Sequence, residues 1–226
     1  MNTLISAVSR MILAAPIRTF LIKDIKGLEN IPQKGNFILV SNHLSHADSF
    51  MSGYIITPRK FTFLSQIDQY AGFKKILRDL VYLWGGVIPV NRKSNESKKQ
   101  AIETAIKMLK NGFCLVVYPE GGRAYDGVMR EFKFGVGKLH LDSGVPVLPV
   151  ALRGTRELMP PHGGLKFKKT AEIVIGEPLN FAKEREMARS LDKNSGEYRN
   201  LCRNIAKKIE GKVRELSNYK YEIKSY

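Results

Sequence analysis

Residues 36–48 read Asn36-Phe37-Ile38-Leu39-Val40-Ser41-Asn42-His43-Leu44-Ser45-His46-Ala47-Asp48. The apolar run at the start of this stretch predicts a buried strand over residues 37–41. His43 follows this strand directly, at the kind of strand end where α/β proteins open their clefts. If the chain then turns into a helix, the Asp48 carboxylate can reach one imidazole nitrogen and leave the other free to accept a proton. The stretch therefore predicts a general base with a carboxylate that orients it.

The sequence supplies no nucleophile to accompany this base. It contains neither a Gly-x-Ser-x-Gly elbow nor a reactive-cysteine signature. We therefore expect the activated hydroxyl to belong to a substrate. A histidine beside a buried strand is also often a hydrogen-bonded structural group, and the spacing of His43 and Asp48 alone leaves both interpretations open.

The composition predicts one folded domain with a basic surface. The chain has 226 residues, of which 43% are hydrophobic and 26% charged, so it can bury a full core. Its two cysteines, Cys114 and Cys202, give no disulfide framework, which favours a reducing compartment. The net charge is +16, from 37 Lys and Arg against 21 Asp and Glu. Such a surface attracts nucleic acid, anionic lipid or phosphorylated substrates, or it only keeps the protein soluble.

The first 22 residues predict an amphipathic helix. Apolar side chains recur at helical spacing, although Arg10 and Arg18 interrupt them and Pro16 is expected to break the helix. No apolar stretch approaches the ~20 residues that a membrane span requires, and no signal-peptide layout is present. We expect residues 1–22 to associate with the membrane headgroup layer and residues 23–226 to form the folded domain. The alternative is a helix that caps the domain core.

Short apolar runs alternate with helical patterns along the rest of the chain. The predicted strands are Lys23–Leu28, Phe37–Ser41, Phe61–Ser65, Gly86–Val90, Phe113–Tyr118, Val145–Ala151 and Ala171–Ile175. The predicted helices are Ser49–Ile56, Ala71–Leu83, Ser94–Leu109, Gly135–Ser143 and about Glu197–Leu216. This alternation predicts a single α/β domain, with a mostly parallel central sheet of about seven strands flanked by helices.

Two predicted strands end close to an arginine. Residues 85–92 run from a glycine turn through a strand to Arg92, and residues 116–123 run through a Pro-Glu-Gly-Gly turn to Arg123. The planar guanidinium donates two parallel hydrogen bonds and stays charged, which suits a phosphate. Two arginines near one histidine would form a site for a phosphorylated alcohol. Each segment alone is equally a strand-to-loop junction with a surface arginine.

Together these segments resemble the glycerophospholipid acyltransferase family, and most closely its bacterial 1-acylglycerol-3-phosphate acyltransferases. Four motifs of that family are matched in its order, across about residues 36–151. They are the His–Asp motif at Asn42, His43, Ser45 and Asp48, the Gly-to-Arg strand at Gly86–Arg92, the Pro-Glu-Gly-x-Arg turn at Pro119–Arg123, and the apolar strand with paired prolines at Val145–Val150.

The resemblance implies that residues 23–226 form an acyltransferase domain, an O-acyltransferase that gives phosphatidic acid for phospholipid biosynthesis. The acyl group would move from acyl-CoA or acyl-carrier protein to the free hydroxyl of 1-acyl-glycerol-3-phosphate. His43 is then the base, Asp48 orients it, and backbone N–H groups near residues 86–90 are expected to hold the oxyanion. No metal or bound cofactor is required. The residues expected to bind substrate are Asn42, Ser45, Arg92, Glu120, Gly121 and Arg123, with Glu120 alternatively orienting an arginine or the turn, or serving only the structure.

Two positions depart from the family pattern. Gly122 stands where Thr or Ser usually precedes the arginine, so a lyso-ornithine lipid or another lysophospholipid stays open as the acceptor. His46 stands at a position that is commonly bulky and apolar, and it offers a second candidate base. His43, His46 and Asp48 also make a conceivable metal-ligand set, which we do not expect to be used.

These substrates imply a membrane surface as a partner. Because lysophospholipid and product reside in the bilayer, we expect a peripheral or monotopic protein on the cytoplasmic face of the cell membrane. Residues 1–22, with Lys74, Lys75 and Arg78, would form its docking face. The remaining alternative is a non-catalytic basic protein that binds membrane or nucleic acid. It explains the charge but not the four motifs, and no nucleic-acid-binding module is recognisable, so no nucleic acid is expected.

Overall fold

Seven strands form one central sheet in the computed structural model, which describes residues 3–66, 86–124, 126–160 and 163–217. The strands are β1 Ile22–Lys26, β2 Ile38–Ser41, β3 Phe61–Gln66, β4 Val87–Val90, β5 Cys114–Val117, β6 Val147–Arg153 and β7 Ala171–Ile175. Across the sheet they follow the order β1-β7-β6-β2-β5-β3-β4, and all neighbours are parallel except β6 and β7. The predicted α/β fold with a mostly parallel sheet is confirmed, and each strand overlaps its predicted segment.

Helices flank both faces of this sheet. They are α1 Thr3–Phe20, α2 Asp48–Ile56, α3 Asn95–Lys110, α4 Gly135–Ser143, α5 Thr155–Leu158, α6 Ala182–Arg189 and α7 Gly196–Ser217, with a 3₁₀ turn at Leu28–Asn30. Four predicted helices correspond to α2, α3, α4 and α7, and the predicted N-terminal helix is α1. The predicted helix over residues 71–83, with its three basic residues, lies outside the described residues. None of the helices within the described ranges is long and apolar enough to cross a membrane.

The prediction that Pro16 breaks the first helix is wrong. Helix α1 continues through Pro16 to Phe20. A proline removes one backbone donor, but the turn beyond it is fixed because Ile17 and Leu21 are buried in the core. The Leu21 amide also donates to the Ile17 carbonyl at 3.1 Å. Packing of these two side chains therefore outweighs the missing hydrogen bond.

Helices α5 and α6 are absent from the predicted set, for physical reasons. Helix α5 is one turn long, and α6 buries none of its side chains, so neither has an apolar stripe at helical spacing in its sequence.

The strand that precedes His43 shows why its sequence is apolar without a break. Phe37 and Leu39 point into a core cluster shared with α1 and α2. Ile38 and Val40 point to the other face, into a cluster shared with α3, α4 and α7. Successive strand residues face opposite sides of a sheet, and helices cover both sides here. Strand β2 is therefore the centre of the domain, and the loop after it is rigidly placed.

One edge of the sheet gathers the loops that follow five parallel strands. We call it the carboxyl edge, where β2, β3, β4, β5 and β6 end. Since β7 is antiparallel to β6, with Glu172 opposite Arg153, β7 begins at this edge. Strand β1 pairs parallel with β7, with Ile22 opposite Ala171, so the end of α1 lies at the same edge.

Candidate functional site

The loop after β2 closes around the Asp48 carboxylate. His43 Nδ1 lies 2.8 Å from Asp48 Oδ2. The same oxygen accepts hydrogen bonds from the backbone N–H groups of Leu44 at 2.7 Å and Ser45 at 2.8 Å. Asp48 is fully buried as the first residue of α2, where the helix N-terminus favours negative charge. The spacing of His43 and Asp48 thus produces the predicted contact, and no hydrogen bond among the described residues engages His43 Nε2, which suits proton transfer.

Tyr118 forms a wall against the His43 ring. The two rings are stacked, with centroids 4.1 Å apart and planes 11° from parallel. The Tyr118 hydroxyl shares a 2.9 Å hydrogen bond with Ser52, and burial raises the pKa of the Tyr118 hydroxyl. The imidazole is therefore fixed at one edge by Asp48 and on one face by Tyr118. Tyr118 was not among the predicted site residues, although its signal is present, since it follows β5 and β5 neighbours β2.

Glu120 links this loop to the loop after β5. Its Oε1 accepts the His43 backbone N–H at 2.6 Å, and its Oε2 accepts the Arg130 backbone N–H at 2.8 Å. The His43 carbonyl in turn accepts the Ala124 N–H at 2.8 Å. Burial raises the pKa of Glu120 to about 7, against these two backbone bonds, which lower it. Of the alternatives for Glu120, the geometry supports the one in which it holds the loops together.

Asn42 and Ser45 fasten the His43 loop to the backbone of neighbouring segments. The Asn42 amide group exchanges two hydrogen bonds with the Leu152 backbone in β6, at 2.9 and 2.8 Å. Ser45 Oγ donates to the Met159 carbonyl at 2.8 Å and accepts from the Ala47 N–H at 3.1 Å. Both residues are buried. We predicted that both contact the substrate, but the structure places them beneath the loop, so the prediction is corrected to a positioning role.

A cleft of about 310 Å³ opens above His43 at the carboxyl edge. His43 and Tyr118 line it, together with apolar residues from β3 and β4. Its basic lining comprises Arg92, Arg123 and Arg130. The cleft thus brings together the two predicted arginines and a third, Arg130, which belongs to no recognised motif. It combines a base, a cluster of positive charge and an apolar wall.

The glycine pair before Arg123 has two distinct roles. Gly121 has a φ of 76°, and a Cβ there would lie 2.2 Å from Lys133 Nζ, because the Lys133 side chain lies across it. Gly121, predicted to bind substrate, instead shapes the turn and accommodates Lys133. Gly122 has space, and its Cβ would lie 3.8 Å from Arg92 Nη1. The second and third motifs therefore meet at Gly122.

His46, the second candidate base, lies on the arginine side of the cleft. Its ring contacts Arg123 Nη1, whereas the Asp48 carboxylate contacts His43. This arrangement favours His43 as the base. Within the part of the chain that the structure describes, no three His, Cys, Asp or Glu side chains are grouped so as to hold a metal ion.

Comparison with known proteins places this geometry in a family. A sequence model of the family described as Acyltransferase matches residues 23–153. The 1-acyl-sn-glycerol-3-phosphate acyltransferase of Borreliella burgdorferi is 34% identical over 131 residues, which cover 58% of this chain and 51% of that protein. The protein of the same name from Pseudomonas aeruginosa is 30% identical over 166 residues, covering 70% and 59%.

A solved structure agrees with these relatives. The 1-acyl-sn-glycerophosphate acyltransferase PlsC from Thermotoga maritima superposes with a TM-score of 0.62 and 27% identity, over 94% of this chain and 81% of that one. The chain spans about half the length of several curated relatives, from 44% to 59%. The resemblance that the four ordered motifs predicted is confirmed, and the chain belongs to the acyltransferase family.

Proposed function

We propose that the protein transfers a fatty acyl group from an acyl thioester to the free hydroxyl of 1-acyl-glycerol-3-phosphate, forming phosphatidic acid. The observation that carries this proposal is the His43–Asp48 pair facing a cleft with three arginines. The names of the relatives support the acceptor. Both acyl-CoA and acyl-carrier protein are proposed donors, because a basic cleft suits the phosphate of either.

Proton transfer begins the reaction. With Nδ1–H donated to Asp48, His43 Nε2 carries the lone pair that removes the proton from the acceptor hydroxyl. The Asp48 carboxylate then stabilises the imidazolium, and Tyr118 keeps the ring in its plane. A proton transfer placed in this way accelerates a reaction by ~10²–10⁴-fold.

The acyl group then changes partner. The acceptor oxygen bonds to the thioester carbonyl carbon, giving a tetrahedral oxyanion. The carbon–sulfur bond breaks, the thiolate takes the proton from His43, and the neutral imidazole is restored. For the oxyanion we propose backbone N–H groups of β4. Strand β4 is the last on its side of the described sheet, so the N–H groups on its outer side face no further described strand, and Val87 of β4 lines the cleft.

The arginines account for recognition of the acceptor phosphate. Arg92, Arg123 and Arg130 line the same cleft, and guanidinium groups bind phosphate oxygens bidentately. A lyso-ornithine lipid or another lysophospholipid is the second candidate acceptor. Gly122 supports it, because this position has open space where the family usually carries the hydroxyl of Thr or Ser. The proposed location is the cytoplasmic face of the cell membrane, because the lysolipid acceptor resides in the bilayer and free cysteines favour a reducing compartment.

Thiol release by the purified chain tests the proposal. Acyl-CoA and acyl-carrier protein are each supplied with 1-acyl-glycerol-3-phosphate, lyso-ornithine lipid or lysophosphatidylcholine in detergent micelles. We expect release that depends on 1-acyl-glycerol-3-phosphate and that falls by ~10²–10⁴-fold in His43→Ala. His46→Ala should retain far more activity, because the ring that the Asp48 carboxylate orients is that of His43, whereas the His46 ring lies against Arg123.

Two results would contradict the proposal. Folded protein that releases no thiol with either donor would exclude this acceptor. Equal losses in His43→Ala and His46→Ala would remove the assignment of the base to His43.

A further inference from the structure

Two aromatic side chains are exposed together, away from the cleft lining. Phe167 is 77% exposed and Phe20, the last residue of α1, is 54% exposed. Their rings contact edge to face, with centroids 6.5 Å apart. The preceding turns of α1 add further exposed apolar side chains, Val8, Met11, Ile12 and Leu13. Several large apolar side chains exposed on one helix and the loop it contacts indicate a binding surface.

The exposure of Phe167 is built into the fold. Residues 163–170, the Phe167 loop, are fastened on both sides of the ring. Before it, Leu165 packs against the core and the Lys166 N–H donates to the Leu158 carbonyl at 2.7 Å. The Lys168 N–H donates to the Lys166 carbonyl at 2.9 Å, which makes Phe167 the centre of a γ-turn. The loop therefore presents this ring outward at its tip.

The far side of the loop is fastened as well. Thr170 Oγ1 donates to the Gly154 carbonyl at 3.0 Å. Gly154 has a φ of 68°, and a Cβ there would lie 2.1 Å from the Thr170 carbonyl oxygen. The loop and the segment after β6 are thus in close contact, and only glycine permits it.

Positive charge surrounds the exposed ring. Lys166, Lys168 and Lys169 are all exposed, so the tip of the loop is one phenylalanine among three lysines. Apolar rings enter the acyl boundary of a bilayer, while lysines remain at the headgroups and attract anionic lipid. Each lysine near such a surface strengthens binding about five-fold. This chemistry fits an anionic bilayer.

The loop lies at the same edge of the sheet as the catalytic cleft. It leads into β7, which begins at the carboxyl edge, and Ile22 after α1 pairs there with Ala171. The segment that precedes the loop also reaches the His43 loop, through the hydrogen bond from Ser45 to the Met159 carbonyl. A bilayer that covers Phe20 and Phe167 would therefore adjoin the edge that holds His43.

We propose that the Phe167 loop inserts into anionic bilayers beside the end of α1, as a second membrane anchor that brings the carboxyl edge to the lipid. Its value for delivering the acceptor rests on the proposed function, whereas the binding itself does not. The loop thus extends the predicted membrane contact of residues 1–22 to a segment far along the chain.

Vesicle flotation of the full chain tests this inference, with phosphatidylcholine vesicles that contain or lack phosphatidylglycerol. Phe167→Ser should weaken binding to the anionic vesicles roughly ten- to hundred-fold, the value of burying one large apolar side chain. The matched control is Met187→Ser. Met187 is 59% exposed on α6, a helix that packs on α4 and α7. We expect this control to bind as the unaltered chain does. Lys166, Lys168 and Lys169 changed together to Gln should lower the preference for phosphatidylglycerol roughly hundred-fold, since each lysine contributes about five-fold.

A spectroscopic pair gives a second readout. Phe167→Trp should shift the emission further to the blue on vesicle addition than Met187→Trp does, because native Trp84 contributes equally to both. Unchanged binding of Phe167→Ser, equal losses in both serine variants, or equal binding to neutral vesicles would overturn the inference.

Thiol release in detergent micelles separates the inference from the proposed function, because Phe167→Ser should retain that activity. An inactive chain that still floats with vesicles would contradict only the proposed function.

Discussion

Glu120 accepts the backbone N–H of His43 at 2.6 Å, across 77 residues of sequence. The His43 carbonyl is held from the same direction by the Ala124 N–H. The position of the base is therefore set by the segment that carries the Pro-Glu-Gly-Gly turn. The third motif acts on the first through the backbone, in addition to supplying Arg123 to the cleft.

The ionisation of Glu120 makes a prediction about stability. Burial raises its pKa from 4.5 to about 7 in the folded protein, so the folded state retains a proton that the unfolded state has lost. This contribution to stability is present below pH 4.5 and is lost as the pH rises through about 7. Relative to Glu120→Gln, the free energy of unfolding of the unaltered protein should fall by roughly 3 kcal/mol over this range. Urea denaturation of both proteins at several pH values measures the difference.

The unaltered protein and Glu120→Gln should also differ in their steady-state kinetics. The glutamine amide group can replace only one carboxylate oxygen, so one of the two backbone N–H groups loses its acceptor. If the His43 N–H loses its acceptor, we expect kcat to fall while the KM for the acceptor stays nearly constant, because His43 is the base. If the Arg130 N–H loses it, we expect that KM to rise, because Arg130 lines the cleft. Parallel stability curves at every pH would show that Glu120 does not titrate in this range.

Tyr118 should act through its ring more than through its hydroxyl. Tyr118→Phe keeps the stacked ring and loses the hydrogen bond to Ser52, which should reduce stability by about 1 kcal/mol and leave kcat little changed. Tyr118→Leu removes the flat wall and should lower kcat roughly ten- to hundred-fold, because a small displacement of the base is enough. Steady-state kinetics with thermal unfolding tests this; equal kcat values in the two variants would exclude a role for the stacking.

The charge of Asp48 and its hydrogen bonds should make separate contributions, the charge to kcat and the hydrogen bonds to stability. In Asp48→Asn, the amide oxygen can take the place of Oδ2 and keep the contacts from Leu44, Ser45 and His43. The fold should persist, while kcat falls by roughly 10²–10⁴-fold because the imidazolium loses its counter-charge. Asp48→Ala should also lower the unfolding temperature, since it removes the acceptor of all three bonds. A small loss of kcat in Asp48→Asn would show that orientation alone is sufficient.

The sequence was most informative where local pattern and burial agree. Strand β2 is apolar throughout because both of its faces are covered, and the His43–Asp48 contact follows from the turn into α2. The antiparallel direction of β7 could not be predicted from its own residues, because the direction of a strand depends on the path of the segment that connects it. Asn42 and Ser45 were misassigned because a polar residue beside a catalytic histidine has the same appearance in sequence whether it faces substrate or backbone. Only their contacts with Leu152 and Met159, 110 and 114 residues away, distinguish the two.

The open position at Gly122 leads to a prediction about the acceptor. A serine there fits, because its Cβ meets nothing closer than Arg92 Nη1 at 3.8 Å. Its hydroxyl would add a donor beside the arginine cluster, so Gly122→Ser should lower the KM for 1-acyl-glycerol-3-phosphate roughly two- to ten-fold, the value of one hydrogen bond.

The neighbouring glycine supplies the control. Gly121→Ser requires a φ of 76° and displaces the Lys133 side chain, so it should reduce stability by about 1–3 kcal/mol. Kinetics with 1-acyl-glycerol-3-phosphate and lysophosphatidylcholine, together with thermal unfolding, compares the two variants. An unchanged KM for 1-acyl-glycerol-3-phosphate in a stable Gly122→Ser protein would show that the phosphate does not reach Gly122. A lower KM for the phosphate monoester alone would place its oxygens between Gly122 and Arg92, where the second and third motifs meet.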